Sequence, residues 1–584
     1  MADAKAMAVS ETSGTNPWLA NLKSGFMVFL IALPLCLGIA NASECPPVAG
    51  IYTAIAGGII ATLLSNSQLT IKGPAAGLIV IVMGCVLQFH EVLTAEGVAD
   101  AKFEAYRMAL AVCVVAGVIQ IVFGWCKGGI LGDFFPSSAV HGLLASIGVI
   151  IMAKQLPVAL GVPGDLLKDT HKHPLEPLAL ILKMPSILPH FNPYVAVIGL
   201  VGLVIMFGLP AVYPKITKLV PTQLIVLLVT VPLSIYVLHM PSPGSPDWKY
   251  TMSGQEFALS TKAHLVNVPL NAVGELGGRA RDLLQFQFLP NFAALKHPIA
   301  WKWIALFAII GSLESLLSSK AVDMLDPRKR KTDLNRDLLA VGVANTLVAF
   351  FGGIPMISEI VRSRANIDNG AQSKYANLFH GLFLLASVAL IPALLNRIPL
   401  AALASMLIFT GFRLAHPREF MHVLHIGREQ LIVFVATIVG VLATDLLIGI
   451  FIGMSVKLVI HYMNGVPLLS LFRPFLKIEP LNETTYLIKA SQSAVFSNWL
   501  LFRRQICTYG LLEQKNIVVD FSDTKLVDHT VMEKIGELQD DFVTQGLKLE
   551  VVGLESHIAL SSHPASARVR GELPSSTPAS STPH

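Results

Sequence analysis

Gly352-Gly353-Ile354-Pro355-Met356-Ile357-Ser358-Glu359-Ile360-Val361-Arg362 opens an apolar stretch with glycines and a proline, then sets a carboxylate and a guanidinium inside it. A spanning helix needs about 20 apolar residues, and this segment is too polar at its start to be an ordinary one. A second segment of the same kind, 73–88, is opened by Thr70-Ile71-Lys72-Gly73-Pro74-Ala75-Ala76-Gly77. Around the two lie apolar runs centred on 24–40, 47–65, 107–125, 138–157, 194–211, 221–239, 301–322, 336–352, 376–394, 428–444 and 447–464, with a shorter one at 399–412. Together they make fourteen crossings. The broken segments stand third and tenth, so the chain divides into two sets of seven with the interrupted helix third in each.

The bulk numbers agree with a chain that lies mostly in lipid. Of 584 residues, 53% are apolar and 14% charged, against about 25% charged in a soluble protein. The net charge of +5 gives no reason to expect nucleic acid as a partner. The six cysteines show neither zinc-ligand spacing nor a disulfide framework. The polar N-terminus lacks the basic and apolar regions of a cleavable signal peptide.

Charge sets the orientation. With the N-terminus cytoplasmic, the inside loops hold Lys127, Lys215, Lys218, Arg328, Lys329, Arg330, Lys331, Lys374, Arg413, Arg418 and Arg428. The short outside loops hold almost nothing basic, as the positive-inside rule requires. The expected divisions are a cytoplasmic segment 1–17 and a transport domain 18–465, with repeats near 18–240 and 300–465. After residue 465 the pattern changes to strands at Thr485–Lys489, Asn516–Phe521 and Leu547–Val552 and an amphipathic helix at Thr530–Thr544. That is a small α/β domain, 466–560. Residues 561–584, rich in Ser, Pro, Thr and Ala, are expected to be disordered.

A matched pair of interrupted apolar segments points to a substrate site. A helix that starts inside the membrane leaves its first N–H groups unpaired, and these and the helix dipole favour an anion. Kinks in long spans are the plainer reading of one such segment; two at matching positions favour half-helices. The expected anion-binding residues are Gly73, Pro74, Ala75, Ala76, Ile357, Ser358, Glu359 and Arg362, with Ser358 able to cap the tenth helix.

The ordered motifs resemble a known family. Ile31-Ala32-Leu33-Pro34 through Pro46-Pro47-Val48-Ala49-Gly50-Ile51-Tyr52, then Gly73-Pro74-Ala75, then Glu314-Ser315-Leu316-Leu317, then the Gly-Gly-x-Pro stretch to Arg362, are similar to the SulP anion transporters, prestin among them. Val518-Val519-Asp520-Phe521-Ser522 and Val527-Asp528-His529-Thr530 resemble the STAS domain that ends those proteins. The resemblance covers about 18–560. It implies a seven-plus-seven inverted repeat, a core (helices 1–4 and 8–11) moving elevator-fashion against a gate, a homodimer, and substrates among sulfate, bicarbonate, chloride and dicarboxylates. It departs at His529, where sigma-factor regulators carry a phosphorylatable Ser or Thr.

Charge inside the membrane is costly and functional by default. Gly311, Glu314, Ser315 and Ser318 share one side of the eighth helix, a small, polar side suited to a packed or wet interior. A carboxylate beside an anion site repels the anion unless it is protonated or carries a cation, so the two bind together. The resemblance places the coupling ion at Glu314, Ser318 and the tenth-helix start. There Ser358-Glu359-Ile360 stands where sodium-dependent bicarbonate members have Gly-Ala-Thr. Either Glu314, alone or with Glu359, carries a proton, which is the favoured reading, or Glu359 supplies the lost sodium ligand. Arg362 either adds charge to the slot or neutralises Glu359 at i+3. His141 and His380 read as polar contacts between helices. No cofactor beyond bound Na+ or H+, no phosphate-binding loop and no catalytic triad is expected. The reading is a secondary-active anion transporter of a bacterial cytoplasmic membrane, both termini inside. Bicarbonate is favoured over sulfate, and carbonic anhydrase is a partner by association. A membrane sensor with STAS output and a passive channel are the rivals.

Overall fold

The computed structural model describes residues 16–167, 177–237, 248–252, 255–259, 264–266, 289–390, 392–444 and 446–571. Most of the expected N-terminal segment and the end of the expected tail lie outside the described residues. The chain forms two compact units, residues 1–129 with 147–414, and residues 130–146 with 415–584.

The helices follow the expected crossings. In order they are α1 (Pro17–Ala42), α2 (Pro47–Leu64), α3 (Ala76–Ala95), α4 (Ala101–Trp125), α5 (Ser137–Ala159), α6 (Pro193–Val212), α7 (Thr222–Tyr236), α8 (Pro298–Leu325), α9 (Leu334–Phe350), α10 (Ile360–Asp368), α11 (Tyr375–Leu390), α12 (Leu400–Leu414), α13 (Arg428–Ala443) and α14 (Leu446–Met463). Among the described residues, eight helices are long and apolar enough to cross a membrane. This is a helical polytopic membrane fold. Local chemistry sets its helix starts: Asn16 accepts from the Trp18 amide with Pro17 at the first position of α1, and Asp333 accepts from the Asn335 and Arg336 amides at the start of α9.

In the first unit, α4 and α9 cross with their backbones close together. A Cβ on Gly117 would fall 2.8 Å from the Thr346 nitrogen, and one on Gly342 would fall 2.7 Å from that of Ile121. Only glycine permits this approach, a common device where lipid supplies no hydrophobic drive. A single apolar cluster joins Leu37 of α1, Ile51 of α2, Ile198 of α6, Val226 of α7, Leu384 of α11 and Met406 of α12. A hairpin, Trp248–Met252 with Gln255–Leu259, lies between the halves, and its Tyr250 hydroxyl donates to Asn192 at 2.6 Å.

The two broken segments differ from expectation in one respect. They do not simply face one another as helix starts. Ile71–Pro74 (β1) and Met356–Glu359 (β2) form an antiparallel ladder, pairing Ile71 with Glu359, Lys72 with Ser358, Gly73 with Ile357 and Pro74 with Met356. Backbone inside a bilayer must be paired, and here each break satisfies the other. Helix follows only at Ala76 and Ile360, which leaves α10 short.

In the second unit, the strands are β3 (Phe475–Asn482), β4 (Thr485–Ala494), β5 (Asn516–Val527), β6 (Leu549–Val552), β7 (His557–Ala559) and β8 (Arg568–Arg570). They make a sheet of order β3-β4-β5-β8-β7 with β6 also on β5, and the β4–β5 and β5–β6 pairings are parallel. Two helices, α15 (Trp499–Cys507) and α16 (His529–Thr544), pack Trp499, Phe502, Ile535 and Phe542 against Val519 and Phe521. This small α/β domain has the make-up of a STAS domain. Its order runs past the expected boundary at Ser561: β8 pairs with both β5 and β7, and the Ser561 hydroxyl donates to the Ile426 carbonyl at 2.6 Å. Composition misleads here because backbone pairing, with Val569 packed on the cluster of Val466, Leu471, Val495 and Leu526, holds the segment. Asp528 caps α16, accepting from the Val531 and Phe496 amides, both at 2.9 Å. It also stands 3.5 Å from His461 Nε2 of α14. Burial alone would raise its carboxyl, but Lys457, His461 and the two amides outweigh that and hold it below the usual carboxylate range.

Candidate functional site

The ladder positions the site. After β1, Ala75 stays extended (φ −99°, ψ 141°), and one 3-10 turn, Ala76–Leu78, leads into the rest of α3. At the end of β2, Glu359 is extended (φ −106°, ψ 124°), and α10 begins at the next residue. Asn345 of α9 fixes the β2 strand: its Oδ1 accepts from the Met356 amide at 2.7 Å and its Nδ2 donates to the Met356 carbonyl at 3.1 Å and to Gln120 at 2.8 Å.

Arg362 joins the two breaks. Its Nη2 donates to Glu359 Oε1 at 2.9 Å and also to the Pro74 carbonyl, while Nη1 lies 3.5 Å from Cys36 Sγ. The residue is 1% exposed, and its Nε has no hydrogen-bond partner among the described residues. A Cβ on Gly73 would stand 2.8 Å from Nη1, so glycine there admits the guanidinium. Of the two roles open to Arg362, the geometry contains the ion pair with Glu359. Gly73, Pro74, Ala75, Ile357, Glu359 and Arg362 are thus gathered at one place.

Glu314 arrives from α8. Its carboxylate rests on the first turn of α3, where a Cβ on Gly77 would overlap Oε1. Its Oε2 is buried without a hydrogen-bond partner among the described residues. An unsatisfied buried acceptor is expensive, and a proton or a cation would relieve it. Ser318 is buried one turn further along α8.

Ser358 departs from expectation. It caps no helix, because Glu359 and not Ser358 precedes the first turn of α10. Its amide donates to Ser315 Oγ at 3.1 Å and its hydroxyl to Asp337 Oδ2 at 3.1 Å. The local hydroxyl of α10 is instead Ser363, which accepts from the Ile71 amide at 2.7 Å and donates to the Glu359 carbonyl. His380 also differs, since neither ring nitrogen of this fully buried residue has a hydrogen-bond partner among the described residues. The residues that sequence reasoning passed over are Lys72, Asp337, Asn345 and Ser319. Lys72 and Asp337 form a buried ion pair of 2.6 Å. The available signal was Lys72, a lysine at the opening of a broken membrane segment, where charge is rarely idle; Asp337, in the first turn of α9, reads as an ordinary acidic residue at a helix start.

The model of the sulfate permease family matches residues 19–437. "Putative sulfate transporter YvdB" of Bacillus subtilis is 25% identical over 92% of this chain and 91% of its own length. "Bicarbonate transporter BicA" of Picosynechococcus is 23% identical over 74% of this chain and 68% of its own. Among solved structures, SLC26A9 superposes with a TM-score of 0.60 at 16% identity, covering 92% of this chain and 84% of that one. The chain belongs to the sulfate permease (SulP) family: it is a multi-pass membrane transporter of small inorganic anions, and not an enzyme.

Proposed function

We propose that the chain is a secondary-active transporter that carries bicarbonate together with a proton by elevator-type alternating access. The observation that carries this reading is Glu314 of α8: a buried carboxylate against the first turn of α3, with one oxygen unpartnered among the described residues. Glu359 is already tied to Arg362 at 2.9 Å, which leaves Glu314 as the group in need of a positive partner. Because Arg362 and Glu359 cancel, a protonated Glu314 leaves the slot with only the amides at the starts of α3 and α10 to favour the anion. Such a slot suits a singly charged anion better than a doubly charged one. The glutamate at 359 stands as a counter-ion rather than as a sodium ligand.

Sulfate is the second reading, supported by the sulfate-transporter names among the relatives. The apolar cluster shared by α1, α2, α11 and α6, α7, α12 supplies the seam along which a core would slide against a gate. The reading includes a homodimer in a bacterial cytoplasmic membrane with both termini inside, no cofactor beyond the coupling ion, and functional association with a carbonic anhydrase.

Uptake of labelled bicarbonate and labelled sulfate into proteoliposomes, under imposed proton or sodium gradients, tests the proposal. Concentrative bicarbonate uptake driven by an inward proton gradient is expected. Sodium dependence at fixed pH overturns the proton version, preferred sulfate uptake favours the second reading, and no flux of either anion favours a sensor.

A further inference from the structure

Lys72 and Asp337 are each 1% exposed, inside the membrane part of the first unit. An ammonium has three protons to place, and Lys72 places all three on oxygen: Asp337 Oδ1 at 2.6 Å, Ser358 Oγ at 2.8 Å and Thr70 Oγ1 at 3.2 Å. The carboxylate is equally engaged, since Ser65 donates to Oδ1 and Ser319 to Oδ2 at 2.7 Å. Three separate pieces of chain therefore meet on one cation: the approach to β1 through Thr70, β2 through Ser358, and α9 through Asp337. Lys72 and Ser358 are also ladder partners, so the side-chain contact repeats the backbone register. A monovalent cation enclosed by a carboxylate and hydroxyls at a break in a membrane helix has the donor set by which transporters hold a sodium ion.

We propose that Lys72 is a tethered cation occupying the place of a soluble alkali ion, a positioning residue that locks the two broken segments in register without consuming a cation in the transport cycle. The proposal rests on the reading of the ladder as the anion site, and it assigns any exchangeable coupling ion to Glu314 alone. It also has a chemical corollary. Shortening Lys72 leaves the buried Asp337 charge without a counter-ion, in a space lined by the same oxygens. An alkali cation is then the natural replacement, and the variant acquires a sodium requirement that the parent protein lacks at this position.

The test compares Lys72→Ser with the parent and with Lys72→Ser/Asp337→Asn, in which both charges are gone. Each full-length protein is purified in detergent, and its Tm is measured in sodium chloride and in N-methylglucamine chloride at equal ionic strength. Uptake in proteoliposomes is measured in parallel. Lys72→Ser is expected to gain thermal stability from sodium, since a ligand bound only by the folded state stabilises it by mass action, and to regain uptake that it loses in N-methylglucamine. The double variant should show no more response than the parent. An equal Tm for Lys72→Ser in the two salts overturns the proposal, as does a sodium response retained in the double variant. Failure of Lys72→Ser to accumulate folded in either salt overturns it too, because sodium must be able to substitute. The Tm arm stands even where no anion flux is found, so failure of the transport reading is separable from failure of this one.

Discussion

Arg362 spans the two broken segments, donating to the Glu359 carboxylate on β2 at 2.9 Å and to the Pro74 carbonyl on β1. Its guanidinium is therefore structural cement and counter-ion at once. Arg362→Ala would strand Glu359 and leave the Pro74 carbonyl without this donor. Breaking a buried pair from one side costs about 3–5 kcal/mol, so a large fall in Tm and loss of anion uptake are expected. Arg362→Lys keeps the charge but not the fork and should recover part of the Tm and little of the uptake. Thermal unfolding with parallel uptake assays reads both, and a Tm for Arg362→Ala equal to that of the parent would contradict the geometry.

Glu359 sets the charge against which the anion is chosen. Glu359→Gln leaves Arg362 uncompensated and makes the slot more positive. The ratio of sulfate to bicarbonate uptake should rise, by about tenfold for each 1.4 kcal/mol of added attraction. An unchanged ratio in a folded variant would show that Arg362 and Glu359 do not act on the substrate.

Glu314 and Gly77 are in contact by necessity. Gly77→Ala inserts a methyl where Oε1 stands, so the carboxylate or the α3 start must shift. Uptake should fall by about tenfold or more, since displacements near 1 Å at a reacting centre have costs of that order. Glu314→Gln, which keeps the shape, should retain anion binding and lose the response to a proton gradient. Proton-driven accumulation by Glu314→Gln would remove Glu314 from the coupling role.

Asp528 makes a prediction about acid. A carboxyl held below its ordinary value contributes stability that is present above the unfolded-state value, and that is lost as pH falls through the folded-state one. The window is therefore below about pH 4. Asn caps a helix about as well as Asp, so Asp528→Asn removes the charge and keeps the cap. The variant should lose stability near neutral pH and show a flatter acid limb. Hydrogen exchange of the Asn516–Val527 amides in the full-length protein, followed against pH, measures both slopes; identical slopes would separate Asp528 from the acid transition.

The helices were legible because a spanning segment declares itself locally, by a run of apolar side chains. The ladder was not. Ile71–Pro74 and Met356–Glu359 are four residues each, one ends on a proline, and their partners lie far apart in sequence. No local period marks such a pair. Glu314, Glu359 and Arg362 could be picked out as charges inside apolar runs. Asp337 could not be picked out the same way, because in the first turn of α9 it reads as an ordinary acidic residue at a helix start. Lys72 was visible within its motif, but its role depends on Asp337, and only the fold brings them together. Ser358 was misread as a cap for the same reason: its position allowed a local bond, and the nonlocal carboxylate of Asp337 won. The strand at Arg568–Arg570 was hidden in a Ser- and Pro-rich tail, where pairing with Val527 and Leu526 outweighs a composition unfit for a core.

The β1–β2 ladder also constrains how such a chain can change over generations. Side chains on a strand alternate in direction, so a single-residue insertion or deletion in either break would turn Lys72 away from Ser358 and Asp337, or Ser358 away from Lys72. Such a change could survive only with a matching change in the other half, nearly three hundred residues away in the gene. The two repeats, free to drift in their loops, are bound at this one point to the same indel history.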